Sequence, residues 1–356
     1  MASTTAASSF QDLLATSLAA YGYNVWELLQ KYTNYSFGKI MNEKKIAEQG
    51  GSQIIRNVSY KDTGASAMVA RYQAISPNQV DTQVQVTMPW RYSTTYMNYE
   101  LNEIKQNQGK AQIIALIDTK RQAMMADQAN LFETQMWTLP GVSDTLSFAG
   151  IPNFLVPITG AQVTAGTSGF QGMNPAGYSA TAGLDASSST YDRWRNYNDV
   201  ISASGFTTDD MKKMRTAWNK LHFMAPLGVP NVKDTQLSNF SLFTNFTRLA
   251  QIEEVAQDQN DSIGLDVGYA AGKALFRGLP IDPLDVLDAD TTNPIYGVNF
   301  DNLHFVHLDG EFMVESAPIM DRYQHLVYTV FCDTTGNLIC TNRKKAGFVL
   351  SSVAAA

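Results

Sequence analysis

Only two of the 356 residues are cysteine, Cys332 and Cys340. Two thiols cannot staple a chain of this size, and without a secretory leader they read as free thiols in a reducing compartment. They flank an expected turn at 334 to 337. A three-residue loop would set them opposite each other, and a four-residue loop on opposite faces. Charge is scarce as well: 17% of residues are Asp, Glu, Lys or Arg, against a usual ~25%. The net charge of −7 leaves no basic face of the kind that reads nucleic acid, although loose enclosure of nucleic acid stays open. No apolar run reaches membrane-spanning length. The start, MASTTAASSFQDLLATSLAAYGY, has neither the basic nor the apolar part of a signal peptide.

Catalytic signatures are missing too. There is no Gly-x-Ser-x-Gly elbow, no HExxH and no Cys/His ligand set. Gly268 to Ala274 (GYAAGKA) is one residue short of a phosphate loop and lacks its Ser or Thr, so a helix packed through Gly and Ala is expected there. Of the four histidines, His222, His304, His307 and His325, only His304 and His307 are close. On a strand they point to opposite faces. Asp282, Asp285, Asp288 and Asp290 lack the glycine and terminal Glu of a calcium loop, and Pro283 interrupts them, so they read as a solvated turn. Asp192 with Arg193 and Arg195 could clamp a substrate. An ion-pair and stacking cluster at a subunit junction is more economical, since Trp and Arg are enriched at interfaces.

What is present suits packing and contact. The chain is 44% hydrophobic, with 16 Tyr and 14 Met, a composition fitted to extensive subunit interfaces. Phe10, Leu13, Leu14 and Leu18, then Val25, Trp26, Leu28 and Leu29, are spaced for two short amphipathic helices. After Gly50-Gly51, Ile54, Arg56, Val58 and Tyr60 alternate with Ile55, Asn57 and Ser59. A turn is expected at 61 to 64 and a returning strand at 67 to 75. This hairpin packs on nothing nearby in sequence. Isolated hairpins are marginal in water, so the arm implies a partner, most simply another copy of the chain. A half-buried strand follows over Val84, Val86, Met88 and Trp90, with Pro89 at an edge.

From 107 to 138 the period becomes helical, with Ile113, Ile117, Met124, Leu131 and Phe132 on one face. The rod is ~45 Å long and stops at Leu139-Pro140-Gly141. Residues 160 to 183 hold six glycines and read as a long mobile loop. Thr208 is the expected N-cap of a helix striped by Met211, Met214, Trp218 and Leu221. Further helical patterns cover 242 to 257 and 265 to 276, and strands 304 to 308, 326 to 333 and 338 to 350. Helices and strands do not alternate regularly, which predicts α+β.

The order of these features resembles the major capsid proteins of tailed bacteriophages (the Hong Kong 97-type, or Johnson, fold), which herpesvirus capsids and encapsulins share. GGSQIIRNVSY followed by ASAMVARYQ, from Gly50 to Gln73, is similar to that family's extended loop. NQGKAQIIALIDTKRQAMMADQANLFETQMW, from Asn107 to Trp137, is similar to its spine helix. GLDASSSTYDRWRN, from Gly183, and MKKMRTAWNKL, from Met211, resemble the entry to its axial domain. LICTNRKKAGFVLSS, from Leu338, resembles the ending of one phage branch. The resemblance implies an N-terminal arm (1–49), the extended loop with its adjoining strand (50–98), a peripheral domain with the spine (99–147), an axial domain with the Gly-rich loop 160–183 (148–295), and returning strands (296–356).

It further implies a non-enzymatic protein without cofactor or metal, located in the virion capsid and assembled in the bacterial host cytoplasm. Its partners are other copies in hexamers and pentamers, packaged double-stranded DNA that is not read by sequence, and portal, scaffolding and decoration proteins, with no membrane. Ile54, Val58, Tyr60, Lys61, Met68, Tyr72, Arg193, Trp194 and Arg195 are the expected assembly contacts. About 49 residues precede Gly50 and Met1 stands first, so a separate scaffolding protein is expected over a trimmed precursor. Lys61 has no identifiable cross-link acceptor. The alternatives are an encapsulin-type compartment and a soluble oligomeric enzyme that holds a metal on the acids between 282 and 290.

Overall fold

The computed structural model describes residues 31–43, 45–75, 80–106, 110–159, 169–226, 234–235, 239–258, 267–270 and 273–353. The two short helices expected near 10–18 and 25–29, and the first half of the Gly-rich loop, lie outside them. The architecture is α+β, with two large sheets and one two-stranded arm. Among the described residues no helix is long and apolar enough to cross a membrane.

The first sheet has six strands: β1 (Lys45–Glu48), β4 (Arg91–Glu100), β12 (Leu303–Leu308), β13 (Val314–Glu315), β14 (Ile319–Met320) and β15 (Val327–Cys340). β15 organises it. One flank pairs with β4, from Val327 opposite Glu100 to Gly336 opposite Arg91. The other flank pairs with β12, β13 and β14, and β1 runs parallel to β12. The turn expected at 334 to 337 is therefore absent. Those residues are buried and satisfied within the strand. Thr334 Oγ1 accepts from Gln128 and from the Met313 N–H, and Asn337 binds the Ala149 N–H and the Pro89 carbonyl. Gly336 serves close approach: a Cβ there would stand 2.6 Å from the Val306 carbonyl.

Cys332 and Cys340 thus lie eight residues apart on one strand, roughly 26 Å at ~3.3 Å per residue, which no disulfide spans. Both are free and buried. Burial raises both thiols, that of Cys340 to about 12, so neither is a thiolate at neutral pH. His304 and His307 fall on opposite faces of β12, and the His307 ring sits beside Phe312.

Against this sheet lies the long helix α3 (Lys110–Trp137), preceded by α2 (Leu101–Gln106). Phe132 packs between Phe37, Phe148 and Phe305, and Trp137 meets Phe243 and Tyr296. Leu131, expected on the buried face, is exposed. The helix ends where predicted, and the apolar run after it forms the buried turn α4 (Ile151–Phe154).

The second sheet has eight strands in the order β5 (Gly169–Gly172), β6 (Asn196–Val200), β16 (Gly347–Ser351), β11 (Ile295–Asn299), β7 (Phe240–Thr244), β10 (Leu279–Pro283), β9 (Lys273–Phe276) and β8 (Val267–Ala270). Helix α5 (Thr208–Leu221) lays Met211, Met214, Trp218 and Leu221 on it, against Phe240 and Phe276. Its N-cap is Thr207, one residue before the expected Thr208, in a reciprocal capping box with Asp210. Helix α6 (Phe246–Asp258) starts later than predicted because 240 to 244 is a central strand.

The helix expected at 265 to 276 is instead the β8–β9 hairpin, with Val267 opposite Phe276. Gly268 and Gly272 each cost a helix about 1 kcal/mol, and Phe276 finds its burial as part of the sheet. The chain leaves this sheet after Asn299, builds β12 to β15 in the first, and returns through α7 (Arg343–Ala346) into β16. The two sheets are therefore interleaved in sequence, and residue 295 opens a strand.

The arm is β2 (Gln53–Ser59) paired with β3 (Gln83–Pro89), with Ile54 opposite Met88 and Val58 opposite Val84. Residues 67 to 75 are not its partner. The β3 run brings Val86 and Met88 to the same core as Ile54, and all three are buried, whereas 61 to 75 stay exposed with no strand. One face of the arm's base therefore packs on its own subunit, contrary to the reading from sequence, while residues 61 to 75 stand bare.

Candidate assembly surfaces

At the arm root, Tyr60 packs on Tyr191 with centroids 5.1 Å apart. Arg193 Nη2 donates to Asp62 Oδ2 at 3.0 Å and holds that carboxyl below its usual range. Arg195 donates to the Ala186 and Ser187 carbonyls. Ile54 and Trp194 are buried, and Val58 packs at the edge of the core. Six of the nine expected contacts, Ile54, Val58, Tyr60, Arg193, Trp194 and Arg195, thus have contacts within their own subunit. Lys61, Met68 and Tyr72 lie on the exposed segment. The side chains of Met68 and Tyr72 are as exposed as in an extended chain, at 103% and 98%. Val69 and Ile75 are exposed beside them. Tyr72 sits at φ 66, a left-handed conformation that a residue of this bulk rarely adopts.

A second surface went unread in the sequence. On β4, Tyr92, Thr94 and Tyr96 share the face away from buried Thr95. Across β15 the register aligns Asp333 with Thr94 and Phe331 with Tyr96, and then Val314 with Asp333 and Ile319 with Thr329. Tyr92, Tyr96, Val314 and Ile319 are all exposed, so one sheet face carries an uncovered apolar stripe. The run RYSTTYMNYE, rich in Tyr and Thr at period two, was the available signal. Among the described residues no strand pairs the outer flank of β4, which leaves a ten-residue open edge.

The third element is the N-terminal segment, stitched to α3. Tyr32 Oη and Thr134 Oγ1 share a 2.6 Å hydrogen bond, and Tyr35 Oη donates to Asn130 Oδ1 at 2.5 Å. The buried Glu133 carboxylate accepts from the Ser36 N–H, the Ser36 hydroxyl, the Phe37 N–H and Trp137 Nε1. It stands at the start of α1 (Phe37–Glu43), where an anion suits the unpaired N–H groups. The acidic run takes part as well. Asp282 pairs with Lys39 at 2.9 Å, Asp285 accepts from the Thr33 N–H, Asp288 from the Phe246 N–H, and Asp290 from Thr292. Its carboxylates thus have separate partners, and among the described residues no three acidic, His or Cys side chains are grouped to hold a metal.

Glu133 gives a pH-dependent prediction. Burial raises its carboxyl, and the four donors pull it only partly back. A carboxyl raised in the folded state contributes stability that is fully present below its unfolded value and lost as pH rises through the folded one. Glu133→Gln removes one acceptor and turns an amide N–H₂ toward donors. Wild type should exceed the variant by about 1–3 kcal/mol at pH 4.5 and by less at pH 8, in urea unfolding at both. Hydrogen exchange at Ser36 and Phe37 should quicken.

No protein-family model matches the sequence, and no curated protein does. Solved structures do. The capsid asymmetric unit of Cyanophage A-1(L) aligns over 94% of this chain and 98% of its own, with 15% identity and TM-score 0.58. The capsid of the native GTA particle aligns over 94% and 96%, with 10% identity and TM-score 0.55. The holo-SrpI encapsulin from Synechococcus elongatus PCC 7942 aligns over 95% of each chain, with 9% identity and TM-score 0.50. At these identities the likeness is one of fold, and it runs almost the whole length of the chain. The chain has the major capsid protein fold of tailed bacteriophages.

Proposed function

We propose that this chain is the major capsid protein of a tailed phage, assembling as hexamers and pentamers into the icosahedral head around double-stranded DNA. The observation that carries this reading is the arm: anchored at its base by Ile54, Val86 and Met88, bare at Met68 and Tyr72, on a whole-chain capsid fold. An arm anchored at its base with an unburied apolar tip reads as an interface lacking its other half. In this reading the arm is the extended loop, α3 with the six-stranded sheet forms the peripheral domain, and the eight-stranded sheet forms the axial domain. The tip and the uncovered β4 face are its working surfaces, and the chain has no catalytic role. Mild acidity suits DNA held loosely. Portal, scaffolding and decoration proteins are the expected companions in the virion, with assembly in the host cytoplasm.

Electron microscopy of the chain expressed alone and with a scaffolding partner tests this. Capsomers or closed shells are expected. Small discrete oligomers would overturn it. Closed shells that load peptide cargo, with no portal vertex and no DNA, would favour the encapsulin reading, which the third structural likeness keeps in view.

A further inference from the structure

Beside the arm root lies a cleft of about 150 Å³ between β2 and α7, lined by Tyr60, Arg193, Trp194, Phe223, Lys344 and Lys345. Five cations gather around it in a chain that is acidic overall: Arg193, Arg195, Arg343, Lys344 and Lys345. Arg195 and Arg343 are held by neutral carbonyl and amide oxygens. Lys344 Nζ sits 4.8 Å from the Phe170 ring centre and 5.5 Å from that of Phe223. The rings fix this ammonium in place, and among the described residues no carboxylate lies within ion-pair distance of it. Trp194 closes the same wall and is 3% exposed; its Nε1–H is shut off from solvent, so the wall acts on an occupant through its cations.

The group that suits this wall is therefore an anion. The space is below the ~300 Å³ at which small-molecule pockets begin, so it takes one oxyanion and no cofactor. We infer that the cleft receives an Asp or Glu carboxylate from a second copy of this chain. Arg193 already takes a carboxylate here, that of Asp62, and both partners of that pair remain more than half exposed. The bare segment 61 to 75 departs from this same point, so a neighbour that covers the tip is brought to the cleft mouth. A copy with 33 acidic and 26 basic residues presents carboxylates more often than cations. Each subunit would then clasp a neighbour through charge at the root of the arm, in addition to apolar contact at its tip.

The inference rests on the shell reading and is tested apart from it. Copies labelled with ¹⁵N and unlabelled copies are mixed and assembled without DNA, and adjacent amines and carboxylates are coupled with a zero-length carbodiimide. Mass spectrometry should find Lys344 or Lys345 joined to an Asp or Glu of the other isotope. Lys344→Gln should remove the Lys344 product and raise the concentration needed for assembly about tenfold, with the melting temperature of the free subunit unchanged within about 2 °C. Shells that yield only same-copy products such as Lys344–Asp62 would overturn the inference and leave the shell reading intact. So would a Lys344→Gln chain that assembles as wild type does. Stabilisation of wild type but not Lys344→Gln by millimolar inorganic phosphate or a short DNA duplex, with no mixed product, would reassign the cleft to phosphate. Failure of wild type to form any shell removes the shell reading and this inference together.

Discussion

Replacing residues 63 to 75 with a Gly-Ser segment of equal length should leave a folded subunit that no longer closes shells. Every residue in that segment is exposed, so the subunit loses no core, and its melting temperature should hold within about 2 °C. Assembly loses much more. Covering a side chain such as Met68 or Tyr72 contributes about 1.5–3 kcal/mol each, so the pair contributes roughly 3–6 kcal/mol per contact. At 1.4 kcal/mol per factor of ten, each contact weakens by two to four orders of magnitude, and a shell repeats that contact at every subunit. Sedimentation should show free subunits or isolated capsomers at concentrations where wild type closes, with electron microscopy confirming the loss. Normal shells from this variant would mean that the tip is not an interface. The replacement must stop short of β2: Ile54 and Val58 belong to the subunit's own core, and a cut reaching them would unfold the arm and confuse the two effects.

The elements that sequence made legible are those governed by local period. α5 follows a 3.6-residue rhythm along its length, and α3 ends before the breaker at Leu139-Pro140-Gly141 as expected, although Leu131 of its expected apolar face is exposed. Pairing was less legible, because alternation shows that a strand exists but not what it meets. Residues 67 to 75 alternate as well as β3 does, and only the fold reveals that Val86 and Met88 reach the core beside Ile54. Thr334-Thr335-Gly336-Asn337 has the composition of a turn. Its glycine answers a carbonyl and an aromatic ring pressed against the strand instead, a need that arises 30 residues away.

The candidate surfaces divide in the same way. Met68 and Tyr72 were expected as contacts because an arm without a core needs a partner, and both stand exposed. Ile54 was chosen by the same reasoning and Trp194 for the enrichment of Trp at interfaces, and the subunit buries both. The groups hardest to find were buried charges. Glu133 and Arg343 look like surface residues in sequence, since such side chains are almost never fully buried without partners. Most of their partners are main-chain N–H and carbonyl groups, which carry no sequence signal.

Arg343→Met should destabilise the subunit by about 3–5 kcal/mol, the range for breaking a buried charge site. Arg343 is fully buried and donates five hydrogen bonds: Nε to the Phe154 carbonyl at 2.7 Å, Nη1 to that of Trp194 at 3.2 Å, and Nη2 to those of Gly172 and Met173 and to Asn196 Oδ1. Burial pushes its pKa down to about 10, so it stays charged at neutral pH, a cation neutralised by dipoles. Its acceptors come from the turn after α3, from β5 and its exit, and from the arm root, while Arg343 itself leads into β16. One side chain thus pins four segments where the two sheets meet.

Methionine would fill most of the volume and relieve the desolvated charge, but four main-chain carbonyls would be left in an apolar space at about 1–3 kcal/mol each before relaxation. The melting temperature should fall by roughly 5–15 °C. Arg343→Lys should recover only part of this, because an ammonium cannot fork to acceptors spread over the plane of a guanidinium. Arg195→Met supplies the control. It removes the same charge from a half-buried side chain that donates to two carbonyls, where water can replace the lost donors, and it should cost under about 1 kcal/mol. Equal melting temperatures for the two methionine variants would show that burial of the guanidinium, and not its charge, had been wrongly assigned the structural role.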